Sequence, residues 1–288
     1  MAVFFKLLLS ADFPFLRNAL MAGVLSSVLF GTIGAALTVR HITSLAGAIS
    51  HAVLGGIGLA LYLSAAGIIP GLPPIAGALV FAVIAALLIG IVSLKAQQRE
   101  DTAINAIWAI GMSLGVLFMA KTPGYVDPST WLFGNILLIS TRDIILLAVL
   151  DIIVVVIARR FYAQIEAASF DEEYARVRGL RSNTLFLILL IISAAAIVLL
   201  QSFVGIVMVI AMLALPAGCS AAFARSLGSM MLLGCIFSCV FSVCGVAAGW
   251  IFDLPVGAMT VIVAGTMFLG ISTFRSGRIL WHKKRLFC

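Results

Sequence analysis

The sequence predicts an all-α, polytopic membrane protein with about eight or nine transmembrane helices and one short cytoplasmic helix. Three observations predict it. Hydrophobic residues make up 63% of the chain and charged residues 10%, whereas a soluble domain is about half apolar and about a quarter charged. Apolar runs of spanning length, roughly 20 residues, recur along the whole chain. The polar segments between them carry their Lys and Arg alternately, as cytoplasmic loops of a multi-pass protein do.

Taken in order, the apolar runs fall at 18–39, 45–67, 74–94, 102–120, 144–160, 184–201, 203–222, 228–251 and 255–274. Arg40-His41 ends the first. The turn-rich "IPGLPP" (69–74) ends the second, because proline and glycine punctuate helices. "KAQQRED" (95–101) separates the third from the fourth, and "KTPGYVDPST" (121–130) follows the fourth. A short apolar piece, "WLFGNILLIS", leads into the fifth. Only Gln201-Ser202 divides the sixth from the seventh, so eight spans stand beside nine. No polar stretch is long enough for a second core, and residues 1–288 read as one membrane domain with a cytoplasmic loop at 161–183.

That loop sets the orientation. "RRFYAQIEAASFDEEYARVRGLRSNT" (159–184) is dense in charge with an excess of arginine, which places it in the cytoplasm. Counting outward puts "KAQQRED", Arg40-His41, Arg225 and the basic tail "RSGRILWHKKRLFC" inside, and "IPGLPP" and "KTPGYVDPST" outside. With nine spans the N-terminus lies outside, with Lys6 and Arg17 as dissenting charges. The net charge of +7 is then a property of the cytoplasmic face and does not call for nucleic acid. The first apolar run, after Lys6, is broken by Asp12 and Arg17, which does not fit a cleavable signal.

Several chemistries are excluded. There is no GxxxxGK[ST] phosphate loop, so this chain does not hydrolyse ATP by that route, and there is no GxSxG or HExxH motif. The chain reads as no enzyme. Cys219, Cys235, Cys239, Cys244 and Cys288 include no CxxC pair, so neither a zinc knuckle nor a disulfide framework is indicated.

A few polar residues stand inside apolar runs. Asp151 is near the middle of the fifth, and a carboxylate at that depth faces the bundle interior or a water-filled cavity. It reads either as part of a cation or proton pathway or as a group satisfied by a neighbouring helix. His51, one of three histidines, lies about 10 Å into the second span at 1.5 Å per residue. Neutral imidazole ligates transition metals; the alternative is a histidine bonded to a backbone carbonyl. Asp101 is placed to cap the fourth span, with Asn105 one turn further on the same face. Pro216 interrupts the seventh span, where Met208, Met212 and Cys219 read as packing bulk. "SFDEEYARVRGL" (169–180) reads as a short cytoplasmic helix capped by Ser169, with Asp171, Glu172 and Glu173 in its first turn and Gly179 as its stop.

"SLAGAISHAVLGG" (44–56), "REDTAI" (99–104), "WLFGNIL" (131–137), "SFDEEYARVRGL" (169–180), "FVGIVMVIAMLALPA" (203–217) and "DLPVGAMTVIVAG" (253–265) occur in this order. Together they resemble the permease subunit of ABC-type zinc, manganese and iron importers, the ABC-3 family, over nearly the whole chain. The resemblance implies a bacterial plasma (inner) membrane protein that works as a homodimer. Its partners would be cytoplasmic ABC ATPase subunits, an extracytoplasmic metal-binding protein and membrane lipid. It implies a divalent metal as transported substrate, with no permanently bound cofactor. "SFDEEYARVRGL" corresponds to the helix that couples to the ATPase, which assigns Asp171, Glu172, Glu173, Ala175 and Gly179 to that contact.

The family commonly carries an acidic residue four positions before the histidine, as in GDALSHA; here that position is Gly47. Either another carboxylate supplies the charge, with Asp151 first, or the site binds more weakly. Imidazole without a carboxylate leans toward zinc, because manganese prefers oxygen ligands. The expectation is therefore a zinc importer permease with His51 and Asp151 on the metal pathway. The alternatives are a manganese or iron permease of the same type, a proton-coupled secondary cation transporter, and an intramembrane enzyme using His51 as a base.

Overall fold

The computed structural model describes residues 14–95, 100–124, 129–134, 136, 139–170, 179 and 182–286. Described residues in regular structure are helical throughout: α1 Pro14–Val39, α2 Ser44–Ala65, α3 Pro74–Lys95, α4 Glu100–Lys121, α5 Ser129–Phe133, α6 Thr141–Arg160, α7 Tyr162–Phe170, α8 Ser182–Val204, α9 Ile206–Ala221, α10 Leu227–Phe252 and α11 Val256–Leu286. Each predicted span has its helix. Among the described residues, seven are long and apolar enough to cross a bilayer. The two others are α9, with 16 residues, and α6, which carries charged residues at both ends and Asp151 between them.

The boundary between the sixth and seventh spans differs from the expectation. Gln201 and Ser202 remain inside α8, and the break falls at Gly205, whose φ of 83° only glycine adopts at little cost. Gly134, with φ 60°, lies against it, and a Cβ on either residue would strike the other's backbone. Two cap assignments also shift. Asp101 falls within the first turn of α4, and Ser169 lies near the end of α7. Helix α7 begins at Tyr162 and includes Ser169, and most of the short helix expected over 169–180 lies outside the described residues. Pro216 sits inside α9, which runs through it from Ile206 to Ala221.

Helix α2 is the centre of the bundle. Of its spanning window 83% is buried, against 22% for α4. It packs chiefly on α4 and α3, while α1 packs on α10, and α9 lies against α11, α1 and α10. Small residues permit these approaches, since lipid supplies no hydrophobic drive and helices associate through close packing. Gly56 faces Gly77 across α2 and α3, and Gly58 faces Gly115 across α2 and α4, where an added Cβ would come within 2.6 Å of the Gly115 carbonyl oxygen. Gly31 lies directly on the Cys235 backbone, joining α1 to α10.

The starts of α6 and α10 are closed by side chains. At α6 the Ser140 hydroxyl accepts from the Asp143 backbone N–H at 3.3 Å, and the Asp143 carboxylate accepts from the Ser140 N–H at 3.1 Å. This reciprocal pair satisfies two donors that a helix start leaves open. Ser140→Ala is expected to cost about 1 kcal/mol, read as a fall of about 2 °C in the thermal midpoint of the detergent-solubilised protein.

Segments predicted to share a side of the membrane meet at the same end of the bundle. Arg40, α7, the start of α8 and the start of α10 meet at one end through Arg40–Ala168, Arg40–Phe186 and Tyr162–Gly228 contacts. Pro74, Trp131, Asp143 and Gln201 line one cavity at the other.

Candidate functional site

Helix α2 carries the only histidine that a predicted span contains. Its sequence "SLAGAISHAVLGG" is rich in small residues, which lets α3 and α4 close around it and buries residues 45–58 as a continuous stretch. His51 is 8% exposed. Its ring stacks on Trp108 of α4, with centroids 5.0 Å apart and planes 17° from parallel. Its Nδ1 has no hydrogen-bond partner among the described residues, and neither does the hydroxyl of Ser50, which is fully buried.

Gly47, Ser50 and His51 share one face of α2, since residues three and four apart are neighbours on a helix. A Cβ built on Gly47 meets nothing within 4 Å, although the glycine itself is buried. One helix face thus holds an unpaired imidazole nitrogen, an unpaired hydroxyl and free space. Buried polar atoms nearly always have partners, and an intramembrane histidine is costly to keep. This combination marks the strongest candidate site on α2.

Beyond Trp108, the outward face of α4 forms a groove with Asn105, Met112 and Ser113 in its walls. Asn105 stands where the sequence places it, one turn from Asp101. Trp108 is the residue that sequence reasoning missed. It is 43% exposed, so one part of the indole covers His51 while the rest faces the groove. The exposed face of α3 is aliphatic instead: Val80, Ile84, Leu87, Leu88 and Ile91.

Asp151 has different surroundings. It is 6% exposed on α6, and neither carboxylate oxygen has a partner among the described residues. Helix α6 packs on α1 and makes no extended contact with α2. The structure therefore does not place Asp151 beside His51 as a shared ligand pair. Among the described residues no three His, Cys, Asp or Glu side chains are grouped to hold a metal ion. Met208, Met212 and Cys219 are buried in the core around α9, in keeping with a packing role.

A second polar feature lies at the opposite end from Arg40. Gln201 is 1% exposed, with both amide atoms unpartnered among the described residues. It borders a cavity of about 460 Å³ that Trp131, Asp143 and Ser202 also line. Its polarity is legible in the sequence, where it suggests only a boundary between spans.

Of the residues assigned to ATPase contact, Asp171, Glu172, Glu173 and Ala175 lie outside the described residues. Gly179 is exposed with φ 78°, the left-handed conformation in which helices commonly stop.

The model of the ABC 3 transport family matches residues 12–275. The chain belongs to this family. Among its relatives, a probable metal transport system membrane protein of Chlamydia trachomatis is 34% identical over 88% of this chain and 86% of its own length. The manganese transport system membrane protein MntC of Listeria monocytogenes is 31% identical over 95% of this chain and 96% of its own. Among solved structures, PsaBC from Streptococcus pneumoniae in complex with Fab superposes with a TM-score of 0.81 at 30% identity, covering 94% of both chains. This ABC-3 chain is thus a multi-pass membrane protein whose likeness extends over the helices that carry His51 and Asp151.

Proposed function

We propose that this chain is the permease subunit of an ATP-driven importer of divalent transition metal ions, with His51 as the side chain that meets the ion inside the membrane. The unpaired imidazole nitrogen on the Gly47–Ser50–His51 face carries this reading. A neutral imidazole supplies a lone pair that Zn²⁺, Mn²⁺ and related ions accept. A single strong donor beside a hydroxyl suits a carrier, which must release its ion as well as bind it.

The other parts follow from what the chain lacks and exposes. It has no phosphate loop, so ATP is hydrolysed by separate cytoplasmic chains, which dock at the segment that includes Asp171, Glu172, Glu173, Ala175 and Gly179. The metal arrives on an extracytoplasmic binding protein. A second copy of the permease completes the route. The groove of α4 favours this: among its apolar walls stand Asn105 and Ser113, to which lipid gives no partner, while lipid does cover the aliphatic face of α3. The ion then passes between the two copies along α4, behind whose Trp108 lies His51. Asp151 serves a separate step, being buried against α1.

Zinc is the preferred cargo, because position 47 carries no carboxylate and imidazole suits zinc better than manganese. The names of the Listeria relative and of a manganese import system permease protein from Streptococcus gordonii, 29% identical, favour manganese as the second reading. Competition separates the two. Labelled zinc uptake by the full complex should be blocked by cold zinc at far lower concentration than by cold manganese. The reverse order would assign the transporter to manganese. Gly47→Asp, for which there is room, should move the balance toward manganese by adding an oxygen donor one turn from His51.

A further inference from the structure

The corner between α1 and α2 holds a side chain that touches both flanks of the loop assigned above to ATPase docking. Arg40 follows Val39, the last residue of α1. Through Nη2 it donates to the Ala168 carbonyl oxygen at 3.2 Å. Its guanidinium carbon also lies 5.0 Å from the centre of the Phe186 ring. Ala168 belongs to α7, which enters the loop, and Phe186 to the start of α8, which leaves it. One arginine therefore bridges the two ends of that loop.

The backbone that carries Arg40 leads directly into α2. His41 takes φ 59°, a left-handed conformation uncommon for a residue with a side chain. Backbone bonds from His41 to Thr38 and from Ile42 to Leu37, both 3.0 Å, close the corner. Helix α2 starts at Ser44, and His51 lies about 10 Å along it at 1.5 Å per residue. On the far side, the Tyr162 hydroxyl accepts from the Gly228 N–H at 2.9 Å and donates to Glu166 at 3.0 Å. Those bonds tie α7 to the start of α10, so α7 is held to α10 by Tyr162 and to the α1–α2 corner by Arg40.

We propose that Arg40 is a positioning residue that joins movement of the α7–α8 loop to α2, and thereby to His51. The chemistry suits the task. A planar guanidinium stacks on an aromatic face and donates to a carbonyl at the same time, whereas an ammonium presents a point charge and cannot hold both contacts in one geometry. Both contacts go to segments that flank the loop. A shift of the loop then pulls on a corner that continues without interruption into the histidine-bearing helix. This inference rests on the permease reading.

The test uses the complete complex, permease with its ATPase chains and binding protein, in proteoliposomes. Phosphate release and uptake of labelled zinc, with labelled manganese in parallel, are measured on the same vesicles. Arg40→Ala should retain the ATPase chains through purification and hydrolyse ATP, while ions moved per ATP fall about tenfold, within the range of site-to-site coupling. Arg40→Lys should fail to restore the ratio. Phe186→Leu, which removes the stack and leaves the Ala168 bond, should lower it by a smaller factor. An unchanged ratio in Arg40→Ala overturns the proposal. So does a proportional fall of uptake and hydrolysis, or loss of the ATPase chains from both Arg40→Ala and Phe186→Leu. Wild-type vesicles that hydrolyse ATP but move neither metal would instead sink the importer reading, whatever Arg40 does.

Discussion

His51→Ala is expected to lower metal uptake at limiting concentration on the order of 100-fold, the upper end of what even outer-shell substitutions cost a metal site. The protein should still fold. The imidazole is one side chain, stacked on a half-exposed indole, and its loss leaves α2 held by glycine contacts to α3 and α4 on other turns. ATP hydrolysis by the partner chains should persist. The defect should appear as a higher metal concentration for half-maximal uptake, with the ATPase chains still bound. Unchanged uptake would return His51 to a packing role and direct the search to Asp151. Trp108→Ala should weaken uptake less, because the indole orients the ring and donates no lone pair to an ion.

Gly56→Ala should destabilise the bundle more than either His51→Ala or Ser140→Ala. A Cβ at Gly56 would fall on the Gly77 carbonyl, with the carbonyl carbon at 2.6 Å and the Phe81 Cβ at 2.9 Å. The Gly77 carbonyl is backbone, so α2 and α3 must separate along their length. Overpacking of this kind costs about 3 kcal/mol. The thermal midpoint in detergent should fall by about 6 °C, at the roughly 2 °C per kcal/mol expected of a chain this size. Gly47→Ala, where nothing lies within 4 Å, is the matched control. Alanine is the better helix former by about 1 kcal/mol, so its midpoint should hold or rise. Equal losses in both variants would show that the close approach of Gly56 and Gly77 does not hold the helices together.

Much of this architecture was legible because spanning helices announce themselves by length and apolarity. Each of the runs from 18–39 to 255–274 has its helix. What misled was local polarity. Gln201 and Ser202 looked like a boundary, yet a buried glutamine is tolerated within α8, and the chain turns at Gly205 because glycine alone accepts that backbone angle at little cost. Asp101 looked like a cap for the same reason, and it lies within α4. His51 was legible as an expensive residue in an apolar run. Its partner was not, since Trp108 lies on another helix, two spans further along the chain, and only tertiary packing brings the rings together. Asp151 drew notice by the same cost argument, but one dimension could not tell that α6 lies against α1 and away from α2. The Arg40 bridge was likewise invisible: Arg40-His41 read only as a cytoplasmic charge, and its contacts are to residues far along the chain.

The central claim is that metal crosses through this chain at the expense of ATP hydrolysed elsewhere. It is tested most directly in cells lacking their own importers, by following labelled zinc and labelled manganese with and without a hydrolysis-dead ATPase partner and with and without an uncoupler. The account predicts uptake of one of these metals that vanishes with the dead ATPase and survives short exposure to the uncoupler. Uptake that persists without ATP hydrolysis and collapses with the uncoupler would contradict it and make the chain a proton-driven transporter.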